Sequence, residues 1–137
     1  LLFLAASNGY INIVKLLLSN GADICWANKY GENVLMAAAS SARSELVEIL
    51  ITKGANLNDK DVWGESAILK ACSYGHEQVV RILLEHGASI NDRNKSNETS
   101  LIKAARLGHV DVVKLLVDSG AKLDVKDSRG CSALDLA

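Results

Sequence analysis

Four Gly-Ala pairs, Gly21-Ala22, Gly54-Ala55, Gly87-Ala88 and Gly120-Ala121, stand 33 residues apart along the chain, and the spacing never slips. A fixed period of this length signals stacked supersecondary units, each too small to bury its apolar side alone and therefore covered by its neighbours. The same period carries Gly31, Gly64 and Gly130, with Asn97 in the remaining slot. Asparagine is the residue that best replaces glycine where φ is positive, so the backbone is expected to turn alike in every copy.

After each turn comes a small polar residue, Asn33, Ser66, Thr99 or Ser132, suited to accept a hydrogen bond from a free amide at a helix start. An aliphatic residue follows two places on (Leu35, Ile68, Leu101, Leu134) and an alanine three beyond it (Ala38, Ala71, Ala104, Ala137). That spacing puts both on one helical face, which is expected to be tightly buried. The first helix should stop at Gly9, Gly75 and Gly108, where glycine takes the left-handed C′ conformation without a Cβ clash. Ala42 occupies the same slot in the second copy. Alanine costs about 1–2 kcal/mol there, so strain or a differently ended helix is expected around Ser40 to Ser44.

A second helix reads Val-Asp-Val-Val-Lys-Leu-Leu-Val from Val110 to Val117, with Val14, Val47, Val80 and Val113 in one column and Leu17, Leu50, Leu83 and Leu116 in another. Columns this regular predict a shared core. Asn12, Glu45, Gln78 and Asp111 stand in its first turn, where acceptors and acidic groups suit the positive end of the helix dipole.

Composition excludes several classes of function. Charge is nearly balanced, 15 Lys and Arg against 16 Asp and Glu, so no basic field draws the chain onto nucleic acid. The longest apolar stretches fall far short of the roughly 20 residues that cross a bilayer, so no direct membrane insertion is expected. Leu1 to Ala6 is apolar but lacks a basic leader and recurs inside later copies, which argues against a signal peptide. Cys25, Cys72 and Cys131 are too scattered for a disulfide framework and fit an intracellular location, cytoplasmic or nuclear. No phosphate-loop, dinucleotide, nucleophile-elbow or zinc-protease motif occurs, and the histidines have no ligand spacing. Enzymatic activity, a cofactor, a metal and a small-molecule substrate are therefore not expected.

The segments Gly75 to Ala88 and Gly108 to Ala121 resemble the G-H-x-x-V-V-x-L-L-L-x-x-G-A signature of ankyrin repeats, whose period is also 33 residues, and the resemblance covers the whole chain. It implies an all-α repeat solenoid of stacked helix-turn-helix units with hairpin loops, one array over 1–137. Counted from the hairpin tip, the units are a partial one at 1–27, complete ones at 28–60, 61–93 and 94–126, and a partial one at 127–137. One departure is systematic: the family's T-P-L-H segment appears as Asn33-Val34-Leu35-Met36, Ser66-Ala67-Ile68-Leu69 and Thr99-Ser100-Leu101-Ile102, without proline or histidine. Because Leu1, Leu2, Phe3 and Leu4 open the chain and Leu134 and Leu136 lie near its close, neither end has a polar cap, and further repeats are expected beyond both.

The resemblance implies a protein-interaction module that holds a partner protein or an extended peptide on the concave surface formed by hairpin tips and first helices. In this sequence the corresponding slots include Lys29, Tyr30, Val62, Trp63, Tyr74, Lys95, Arg106, Leu107 and Arg129. Tyr30 and Trp63 are the leading anchors, since aromatic residues bury much area at low entropic cost; the alternative is that the two lie flat along neighbouring hairpins as local packing. Trp26, nearer a hairpin base, is expected to pack locally. Lys60, Arg93 and Lys126, with Lys95, Lys103, Arg106 and Arg129, give the face a basic half, which would suit acidic residues of a ligand. Glu32, Glu65 and Glu98 interleave with it, so a solvated mixed-charge surface is the plainer account. Asn58 and Asn91 stand in L-x-x-x-G-A-x-x-N contexts similar to those hydroxylated in some ankyrin proteins, a second possible role for the segment; a third is a spacer within a longer array.

Overall fold

A computed structural model describes residues 1–136. Its helices come in pairs: α1 (Leu2–Asn8) with α2 (Ile11–Ser19), α3 (Val34–Ser40) with α4 (Ser44–Thr52), α5 (Ala67–Tyr74) with α6 (Glu77–Glu85), and α7 (Ser100–Arg106) with α8 (Val110–Asp118). The short α9 (Ala133–Leu136) follows the last hairpin. Helices of seven to nine residues are too short to hold alone in water, where roughly 12–15 residues are needed for marginal stability, so lateral packing has to supply what their length cannot.

That packing runs in two layers. The first helices form one, α1 against α3, α3 against α5, α5 against α7 and α7 against α9; α4, α6 and α8 form the other. Small residues make the first layer close: Ala6, Ala38, Ala39, Ala71, Cys72 and Ala104 are fully buried, and α3 is buried at every position from Val34 to Ala39. Ala137, the last of the alanine column, lies outside the described residues. Val14, Val47, Val80, Leu50, Leu83 and Leu116 are also fully buried, and Leu17 and Val113 pack against them partly buried, so the two aliphatic columns of the second helices form a shared core.

The hairpins have their own scaffold, and sequence reasoning missed it. In each, one Asn or Asp side chain at the start of the turn accepts two amides, two and four residues on: Asn28 Oδ1 from Tyr30 and Glu32, Asp61 Oδ1 from Trp63 and Glu65, Asn94 Oδ1 from Ser96 and Glu98, Asp127 Oδ1 from Arg129 and Cys131. Successive tips are then joined by backbone bonds from Val62 N to Tyr30 O (2.9 Å), Lys95 N to Trp63 O (3.0 Å) and Ser128 N to Ser96 O (3.0 Å).

Asn33 and Thr99 cap their helices, accepting from the amides of Met36 and Ile102, and Ser132 exchanges bonds reciprocally with Asp135. Ser66 does not cap α5: its buried Oγ has no hydrogen-bond partner among the described residues, and nothing in the structure explains the difference. Ala42 takes the strain rather than avoiding it, with φ at +57° where Gly9, Gly75 and Gly108 have +74°, +72° and +76°. The Arg43 amide still bonds Ala38 O at 3.0 Å, as the His76 amide bonds Ala71 O and the His109 amide bonds Ala104 O, because the interhelical turn is fixed by the stack on both sides. Ala42→Gly is therefore expected to stabilise the chain by about 1 kcal/mol, read as a higher urea midpoint at unchanged slope. An unchanged or lower midpoint would show that Ala42 is unstrained.

Candidate functional site

The hairpin scaffold leaves the residues between each Asx cap and the following Gly31, Gly64, Asn97 or Gly130 exposed, and this short stretch carries most of the candidate contacts. Tyr30 and Trp63, one period apart, stack with ring centroids at 5.6 Å and planes at 26°. They remain 43% and 52% exposed, and Val62 beside them is 44% exposed. Lys29 lays its Nζ over the Tyr30 ring at 5.0 Å from the centroid. The tips thus join Lys29, Tyr30, Val62 and Trp63 into one patch of mixed aromatic, aliphatic and cationic character. Tyr74 and Leu107 are exposed at the ends of α5 and α7, the Tyr74 ring stacked on His76 at 5.8 Å. Trp26 stands apart from this patch, edge-on to Phe3 at 5.8 Å.

The histidines of the second helices have an architectural use. Nε2 of His76 donates to Ser40 O and Nε2 of His109 to Ser73 O, both at 2.9 Å, so each ties the start of a second helix to the end of the first helix one unit back and is fixed as the Nε2–H tautomer. At Gly75 an added Cβ would meet the His109 ring at 2.6 Å, so glycine there serves packing as well as conformation.

Beneath the tips runs a polar ladder. Lys70 of α5 reaches back to Glu32 Oε1 (3.1 Å) and across to Asp61 Oδ2 (2.9 Å). Lys103, its equivalent in α7, reaches Glu65 Oε1 at 2.6 Å, and the Asn94 amide donates to the same oxygen at 2.7 Å and to Glu98 Oε2 at 3.0 Å. Arg106 pairs with Glu98 at 2.8 Å and Arg129 with Asp127 at 3.2 Å. Burial by itself would lower the Lys70 pKa, but the hydrogen bonds to Asp61 and then Glu32 outweigh it and hold the ammonium above its ordinary value. The Asp127 carboxyl is held below its ordinary range, first by the Cys131 amide and then by the Arg129 amide and guanidinium, against some desolvation. Asp135 is lowered as well, by the amide and hydroxyl of Ser132.

The ladder changes the electrostatic reading of the face. Of the basic residues expected to meet a ligand, Lys103, Arg106 and Arg129 already hold carboxylates of this chain, and Lys60 donates to Arg93 O at 3.0 Å on the flank of the hairpins. Lys95 stands exposed at its tip with no side-chain partner among the described residues. The basic half of the face is therefore partly spent within the stack, while Arg93, Lys95 and Lys126 remain exposed. A signal for the ladder lay in the sequence, in the shared period of Asn28, Asp61, Asn94 and Asp127 and of Glu32, Glu65 and Glu98, with Lys70 and Lys103 as a third repeated pair.

The Cys72 thiol is buried, which pushes its pKa up to about 12 and makes it a small apolar group rather than a nucleophile. Asn58 Oδ1 accepts the Ser89 amide at 3.2 Å and Asn91 Oδ1 the Lys122 amide at 3.0 Å, so both side chains already tie one hairpin to the next. Among the described residues no group of three His, Cys, Asp or Glu could hold a metal ion, and no helix is long and apolar enough to cross a membrane.

Paired short helices stacked in two layers, joined by hairpins that bond tip to tip, define a helical repeat solenoid. Comparison with family models agrees: the model described as ankyrin repeats (3 copies) matches residues 1–61 and again 53–127. The chain belongs to the ankyrin repeat family, whose repeats generally mediate binding between proteins. No curated protein compared with it matches.

Proposed function

We propose that this chain holds a partner protein, as an extended peptide or an exposed segment, along the side built from its hairpin tips and the ends of its first helices. The observation that carries the reading is the Tyr30–Trp63 stack, two large rings left about half exposed on a rigid, backbone-bonded ladder of tips. Neither ring is used by the core, which is complete without them. Stacked rings have fewer degrees of freedom to lose when a ligand covers them, and exposed aromatic side chains are the usual anchors of protein interfaces.

The test is selection of peptides from a random display library on the folded chain, followed by affinity measurement on a Tyr30→Ala/Trp63→Ala variant. Binding is expected to fall by roughly 2 kcal/mol or more, about thirtyfold in Kd. Helical content should be unchanged by circular dichroism, since the lost stack contributes only about 0.5–1.5 kcal/mol to folding. Peptides that bind the double variant as tightly as the unaltered chain would end this reading and leave a spacer role within an array.

A further inference from the structure

We infer that the segment seated on this face is acidic on both sides of an apolar anchor, an inference that rests on the binding reading just given. The crowns of the four tips run Lys-Tyr, Val-Trp, Lys-Ser and Ser-Arg, at 29–30, 62–63, 95–96 and 128–129, with no acidic residue in any of them. The backbone bonds from Tyr30 O to Val62 N and from Trp63 O to Lys95 N fix the order of these groups along the stack. A chain laid along the tips meets a cation at Lys29, then the Tyr30, Val62 and Trp63 surface, then a second cation at Lys95.

What lies beneath decides the sign. Glu32, Glu65 and Glu98 are each occupied, by Lys70 at 3.1 Å, Lys103 at 2.6 Å and Arg106 at 2.8 Å. A basic ligand residue would find no free carboxylate there and would face Lys29 and Lys95. An acidic one meets two ammonium groups that have no carboxylate of their own: Lys29 touches only the π-face of Tyr30, and Lys95 has no side-chain partner among the described residues. Because the whole chain is close to neutral, 15 basic against 16 acidic residues, the preference comes from these positions and not from a long-range field. The rings supply area and the flanking lysines supply register and direction.

The same display library separates this inference from the reading it rests on. Peptides selected on the unaltered chain are expected to carry an aromatic or aliphatic residue with Asp or Glu on either side, and their affinity to fall as salt is raised. Lys29→Glu/Lys95→Glu should weaken such a peptide roughly tenfold, and Lys29→Gln/Lys95→Gln roughly threefold. Both side chains project from the tips with no hydrogen bond to break, so these variants fold as the parent does. Peptides that require Tyr30 and Trp63 but show no acidic excess, or that bind the charge-reversed variant unchanged, overturn the acidic inference alone. Failure to select any peptide that depends on Tyr30 and Trp63 overturns both.

Discussion

Replacing Lys70 by methionine is expected to cost the folded chain about 3–5 kcal/mol at neutral pH, the range found when one partner of a buried ion pair is removed. The Asp61 side chain is fully buried; its Oδ1 accepts the amides of Trp63 and Glu65, and the Lys70 ammonium, 2.9 Å from Oδ2, is the one cation paired with its charge among the described residues. Methionine keeps the length of the stem and loses the charge, which leaves Asp61 and Glu32 to repel each other across the junction between α3 and α5. Adding Asp61→Asn should recover a large part of the loss, because Asn28 and Asn94 hold the same turn in their own hairpins with an uncharged amide. Chemical denaturation of the single and double variants measures this coupling; additive losses would show that the two side chains act independently. The pH dependence has a definite sign. Since the folded state holds the Lys70 pKa above the ordinary 10.5, its contribution is in full below that value and is lost as pH rises through the folded pKa. The Lys70 contribution to the gap between parent and Lys70→Met should therefore be lost in strong alkali.

Gly64→Ala should destabilise by roughly 3 kcal/mol, well beyond the about 1–2 kcal/mol that alanine costs in a left-handed conformation. At φ +77° the new Cβ would stand 2.9 Å from Lys95 N and 3.1 Å from Asn94 Cα, both backbone atoms of the next hairpin. They cannot move without breaking the bond from Lys95 N to Trp63 O that joins the tips. Gly130 supplies the control: its φ is +80°, yet an added Cβ has no neighbour within 4 Å among the described residues, so Gly130→Ala should show the conformational cost alone. Gly31, where the nearest atom is Asp61 Cα at 3.2 Å, should fall between the two. Equal losses at Gly64 and Gly130 would mean that the tips do not need their close approach.

Legibility in the sequence followed a physical line. Asn97, read as the replacement for glycine in a repeated turn, has φ +59°, and Ala42, read as either strained or ending its helix differently, has φ +57°. Both follow from local sterics acting on a known position in a known period. The burial of Val47, Val80, Leu50 and Leu83 was equally legible, since helical spacing fixes which side faces the neighbour. The stacking of Tyr30 on Trp63 joins residues in one column, 33 apart, and periodicity alone brings such residues close. Ser66 shows the limit even of local reasoning, for a capping residue type in a capping position left its hydroxyl unpaired.

The ladder of charges was of another kind. Glu32 meets Lys70 and Glu65 meets Lys103 at a separation of 38 residues, not 33, so the partners belong to different columns. A period states which residues are equivalent; it does not state how far one unit is displaced against the next, and that offset selects the partner of each charge. By itself the sequence determined the repeating unit, its turns, its two helices and its aliphatic core, because each depends on backbone sterics and on which face of a short helix is apolar. The tertiary structure alone decided which carboxylates are spent on lysines within the stack and which lysines stay free at the tips, because the worth of a charge depends on its depth and on the distance to its nearest opposite.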